Sequence, residues 1–202
     1  MMNLNLKRTM KRYIFSVFAL ALFFILLMNK NMQAQGIKDY IHAGDTKAEQ
    51  NDFEGAILEY DQAVSLFQME LDSTKKTGLN ASHLEDYLEV SQVFFKRGLA
   101  KSKIKEYKSA IEDYSMAITL KPTHANAFYN RAQAEFYIRE YEKSLQDFNT
   151  YMGFHSNSAS AYFGRAMVKI RMGDSPGGCA DFKLAEEKGY VISEDLHKKY
   201  CP

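Results

Sequence analysis

Apolar residues return along this chain at helical spacing, and the whole pattern repeats every 34 residues. Aligning Tyr107 with Tyr141 brings 91–124, 125–158 and 159–192 into register, and 37–70 joins them once a 20-residue insertion at 71–90 is allowed. Down the aligned columns the fourth position holds Tyr40, Phe94, Phe128 and Tyr162, and the eighth holds Gly44, Gly98, Ala132 and Ala166. The twentieth holds Ala56, Ala110, Ser144 and Gly178, and the twenty-fourth holds Tyr60, Tyr114, Phe148 and Phe182.

These columns predict two helices per repeat. Positions 4, 8 and 11 fall on one face of a first helix, and 20, 24 and 27 on one face of a second. Small residues at 8 and 20 let the two backbones approach, and the aromatics fill the volume beside them. One such pair buries only part of its apolar surface, so neighbouring pairs must stack to complete a core. The aromatic columns are therefore packing residues first.

Large residues at 4 and 24 with small ones at 8 and 20 resemble the tetratricopeptide repeat, over about three quarters of the chain. Pro122 supplies that family's closing proline in one repeat only. The resemblance implies an all-α fold: a right-handed superhelical solenoid of four antiparallel helix pairs plus a C-terminal capping helix. It also implies a concave groove lined by positions 2, 5, 9, 12 and 13 of each first helix. Here that gives Phe95, Leu99, Asn126, Tyr129, Asn130, Gln133, Phe136, Tyr137, Phe163 and Met167, with Phe95, Tyr129 and Phe163 as an apolar ladder. The alternative for position 5 is packing against the next repeat. The family's clamp for acidic chaperone tails is not reproduced. Lys96 and Asn130 match parts of it, but Ile41 and Asp45 stand where Lys and Asn are needed.

Three segments depart from the repeat. In 71–90 the helical spacing continues, with Gly78-Leu79-Asn80 as a turn and Ser82 three before Glu85 in the capping-box spacing, which predicts a projecting helical hairpin. Repeat 4 has Ser175 where Phe53, Tyr107 and Tyr141 stand, followed by Pro176-Gly177-Gly178, which predicts a looser turn and a shifted helix start. Residues 193–202 read as a short capping helix, with Leu196 and Tyr200 covering the last apolar edge.

Composition changes the picture at the N-terminus. Residues 1–34 hold Lys7, Arg8, Lys11, Arg12 and Lys30 and no acids, leaving 21 bases against 25 acids for the rest. A mildly acidic body lacks the basic footprint of a nucleic-acid binder. The four leading bases, the apolar run Tyr13–Met28 and Ala34 before a cut fit a secretory signal. An uncleaved anchor is the alternative and the only route to a membrane; in either case the body is exported, and the resemblance of this signal and repeat type to bacterial envelope proteins implies a periplasm or envelope.

Little else in the chain points to chemistry. His42, His83, His124, His155 and His197 fall one per segment without metal-ligand spacing. No phosphate loop and no nucleophile with a base is present, so neither a cofactor nor an enzyme activity is expected. Cys179 and Cys201 form a candidate disulfide in an oxidising compartment, Cys179 at the start of the last repeat helix and Cys201 at the end of the cap. The expected function is a non-catalytic scaffold holding a protein or peptide in the groove. The alternative is a structural subunit that assembles through the solenoid or the hairpin.

Overall fold

A computed structural model describes residues 35–77 and 84–201, with positions 16, 19–21, 24, 28 and 32 before them; for 70–77 and 84–87 it describes the backbone alone. The expected export signal, apart from those isolated positions, and the turn expected at Gly78-Leu79-Asn80 with its Ser82 cap thus lie outside the described residues. No described helix is long and apolar enough to cross a membrane.

Helix α1 covers 35–49. It is followed by α2 (Phe53–Thr77), α3 (Leu84–Lys103), α4 (Tyr107–Leu120), α5 (Ala125–Tyr137), α6 (Tyr141–Phe154), α7 (Ala159–Arg171), α8 (Ser175–Glu187) and α9 (Glu194–Tyr200). Consecutive helices pack on one another in chain order, and no strand occurs among the described residues. The result is a solenoid of four helix pairs closed by α9. Helices α2 and α3 have 25 and 20 residues against 13 or 14 for α4 to α8, so α2 alone runs about 37 Å.

The volume argument holds at atomic detail. Tyr60, Tyr114, Phe148 and Phe182 are all at most 2% exposed, and Ala56, Ala110 and Ser144 are fully covered. Where the buried ring is a tyrosine, the facing residue is glycine. A Cβ at Gly44 would sit 2.5 Å from a Tyr60 ring carbon, and one at Gly98 would sit 2.7 Å from Tyr114. Where the ring is Phe148 or Phe182, alanine (Ala132, Ala166) is accommodated. The tyrosines are held by their hydroxyls, Tyr60 donating to Asp45 Oδ1 at 2.8 Å and Tyr114 pairing with Ser102 Oγ at 3.0 Å. Burial pushes the Tyr114 phenol up to about 12, so it stays protonated and hydrogen-bonded.

Position 15 has left-handed backbone in every repeat: φ is 62° at Asn51, 65° at Lys105, 67° at Arg139 and 90° at Gly173. The next amide then donates to the carbonyl of position 11 at 2.9 Å in all four, from Asp52, Glu106, Glu140 and Asp174. The looser turn and shifted helix start expected for repeat 4 are not found. Helix α8 begins at position 17 like α2, α4 and α6. Pro176 falls in the first turn, where its missing N–H has no intrahelical acceptor, and Asp174 caps the helix by accepting from Gly177 N at 2.9 Å.

A charged column joins the pairs. Arg97, Arg131 and Arg165 each fork onto the acid 16 residues on, as with Arg165 Nε and Nη2 at 2.8 and 2.7 Å from Asp181. Their Nη1 atoms reach back to the preceding pair, at Asp61 (2.7 Å), Ser115 (3.0 Å) and Asn149 (2.8 Å). Each guanidinium also lies over the position-4 ring of its own helix, Phe94, Phe128 or Tyr162, at 5.2 to 5.6 Å.

The chain end is clamped. Cys179 and Cys201 are joined, with Cα atoms 5.6 Å apart, and Ile192, Leu196 and Tyr200 pack on the Ala166, Ile170 and Phe182 edge.

Candidate functional site

The first helices α5 and α7 lie side by side, and their exposed faces enclose an open cavity of about 180 Å³. Six of the residues singled out in the sequence meet there: Tyr129, Gln133, Phe136 and Tyr137 from α5, and Phe163 and Met167 from α7. The floor is Phe148 of α6. It reaches the cavity because position 164 is glycine; a Cβ there would stand 2.5 Å from Phe148 Cζ.

Polar groups rim this apolar floor. Gln133 Nε2 donates to the Tyr129 hydroxyl at 3.1 Å, and Ser160 lines the same wall. Burial pushes the Tyr129 phenol up, with the Ser160 hydroxyl pulling the other way, so the group remains a neutral donor and acceptor. Tyr137 is 62% exposed and stacks on Tyr107 at 4.6 Å, presenting a flat aromatic face at the mouth.

The other four lie elsewhere. Phe95 is buried at 8% exposure, its ring 4.7 Å from the His124 ring and 6.0 Å from Tyr114. Burial lowers the His124 pKa, which keeps that covering ring neutral. Leu99 is half-buried against the same core. Asn126 is exposed, and Asn130 turns its amide onto the Asn126 carbonyl at 2.8 Å. The ladder is thus uneven. Each rung rests on the position-24 ring of its own repeat, Phe163 lies stacked 4.5 Å from Tyr190, and Tyr129 lines the cavity.

Ser160, Gly164 and Tyr190 complete the wall and were not singled out in the sequence. Ser160 stands at position 2 of its repeat, a groove column, so the alignment contains the signal for it. Tyr190 follows the last full helix pair and has no such signal.

The family model for the tetratricopeptide repeat matches residues 91–124. Residues 91–124 are thus a tetratricopeptide repeat. Its solenoid resembles MamA residues 41–end from Desulfovibrio magneticus RS-1, with TM-score 0.63 and 14% identity over 76% of each chain. It also resembles the tetratricopeptide domain of Arabidopsis OM64, with TM-score 0.55 and 24% identity over 57% of this chain and 97% of that one. A third is the second tetratricopeptide domain of human RPAP3, solved in complex with the HSP70 peptide SGPTIEEVD (TM-score 0.52, 23% identity, 69% of this chain and 97% of that one). At these identities the likeness is one of fold. No curated protein matches the sequence significantly. In this solenoid the cavity lies between the first helices of repeats 3 and 4.

Proposed function

We propose that this chain is a non-catalytic adaptor that holds a protein segment between α5 and α7. The observation that carries the reading is the cavity itself: an apolar floor, a hydrogen-bonding rim and an exposed aromatic at the mouth. An apolar side chain of the segment enters over Phe148, while Gln133, Ser160 and the Tyr129 hydroxyl bond its backbone. The segment is not an acidic tail, because Lys96 is already paired with Asp45 at 2.6 Å.

The adaptor works outside the cytoplasm. Supporting this are the basic and apolar N-terminal segment ending at Ala34 and the joined Cys179 and Cys201, which suit an oxidising periplasm or envelope. Mass measurement of the protein recovered from its source tests the placement, and an intact, reduced Met1 chain counts against it.

Peptides selected from a random library against the whole chain test the groove. Tyr137→Ala and Gln133→Ala should each weaken the selected peptides about tenfold, in chains that circular dichroism shows to be folded at the assay temperature. Unchanged binding in both removes the groove from the reading. A mass shift to a dimer that Tyr137→Ala abolishes would instead favour assembly between copies.

A further inference from the structure

Repeat 3 breaks a charge pattern that the other repeats keep. At position 11, repeats 1, 2 and 4 carry Lys47, Lys101 and Lys169, with ammonium groups 2.8, 2.8 and 2.9 Å from the acid at position 23 (Glu59, Asp113 and Asp181). Repeat 3 has Glu135 there, beside Asp147, so two acids share one place.

Glu135 is 4% exposed, and its Oε2 has no hydrogen-bond partner. Its Oε1 is 3.9 Å from Arg131 Nε, but that guanidinium is committed to both Asp147 oxygens, at 2.6 and 2.9 Å, and to Ser115. From α6, Lys143 is exposed and pairs with Glu140 at the helix start; α4 contributes only the uncharged Ile111 and Ser115. A buried carboxylate left without a donor is costly, and such groups in folded chains are ordinarily met by something. Glu135 also lines an open cavity of about 400 Å³ between α4, α5 and α6, together with Lys143, Gln146 and Thr150.

We propose that this cavity is a binding site for a primary ammonium group, supplied by a lysine side chain of a partner or by a free polyamine, seated against Glu135. The chain itself shows the chemistry, since in the other three repeats the place that Glu135 takes holds an ammonium set against the position-23 acid, and repeat 3 lacks that cation. A guanidinium fits less well, because a planar fork needs both carboxylate oxygens and Oε1 already faces Arg131. A metal ion fits less well too: no group of three ligating side chains occurs among the described residues. The site is independent of the α5–α7 groove.

The test follows the Glu135 carboxyl by carbon NMR in the whole chain, assigned by its absence in Glu135→Gln. The probes are putrescine and the peptide acetyl-Gly-Lys-Gly-amide, with the Nε-acetylated peptide at matched ionic strength as control. A saturable fall of about one unit or more in the Glu135 titration midpoint is expected. If the peptide alone produces it, the source is a partner lysine; if putrescine also does, a free amine suffices. The proposal is overturned if neither probe moves the midpoint beyond the control. It is overturned equally if Lys143→Met raises the midpoint by a unit, because Lys143 would then be the cation Glu135 already uses.

Discussion

Replacing Glu135 with glutamine removes one buried charge while keeping the shape of the side chain, and its effect on stability should depend on pH. Burial first, and the Asp147 charge second, push the Glu135 carboxyl from 4.5 up to about 7 in the fold, against the pull of Arg131 and Lys143. Between about pH 4.5 and 7 the folded chain therefore holds a proton that the unfolded chain has lost. Stability from this group is fully present below 4.5 and falls as pH rises through 7. The full shift corresponds to about 3 kcal/mol at pH 8; water at the open cavity screens part of it, leaving about 2 kcal/mol. Glu135→Gln should match the wild type at pH 4 and exceed it by about 2 kcal/mol at pH 8. Urea unfolding followed by circular dichroism across that range measures the difference. Two parallel stability profiles, or a variant weaker at pH 8, would refute the account of Glu135 as a strained buried acid.

Three further outcomes follow from the packing. Arg131→Met leaves Asp147 and Glu135 buried without their guanidinium and should cost about 3–5 kcal/mol at pH 8 and less at pH 5, read from the same unfolding curves. Gly98→Ala should cost about 1–3 kcal/mol by pushing on Tyr114. Tyr114→Phe frees that ring from Ser102, so the double variant should cost less than the two single changes together; strict additivity in the double-mutant cycle counts against the pairing of glycine with tyrosine. Breaking the Cys179–Cys201 bridge with Cys201→Ser reopens a 22-residue loop and should cost about 3 kcal/mol in the chain-entropy model. Two titratable thiols in the native oxidised wild type would rule the bridge out.

Much of the architecture is legible in the sequence. The 34-residue columns identify the helix pairs because side-chain volume at positions 8, 20 and 24 is what lets two helices meet. The arginine and aspartate columns were equally open to reading. Arg97, Arg131 and Arg165 stand in one column and Asp113, Asp147 and Asp181 in another, but a spacing of 16 is no local helical interval, so pairing them requires the fold. Repeat 4 differs from its expected form for a related reason. Pro176 and its glycines look like a disrupted turn in isolation, whereas Gly173 supplies the same turn as in the other repeats and Asp174 caps its helix as Asp52 does in repeat 1.

By itself, the sequence determined the number of helix pairs, their order and the residues that fill their cores, since these follow from period and volume within each repeat. Only the tertiary structure decided which groove aromatics are open. Phe95, Tyr129 and Phe163 occupy one column, yet His124 covers the first and Tyr190 stacks on the last, while Tyr129 keeps an edge on the cavity. Exposure depends on what the neighbouring element lays over a position, and the alignment does not say that His124 and Tyr190 are those neighbours. The same holds for Glu135. Its acid is visible in the sequence, but its missing partner is a property of the space between three helices.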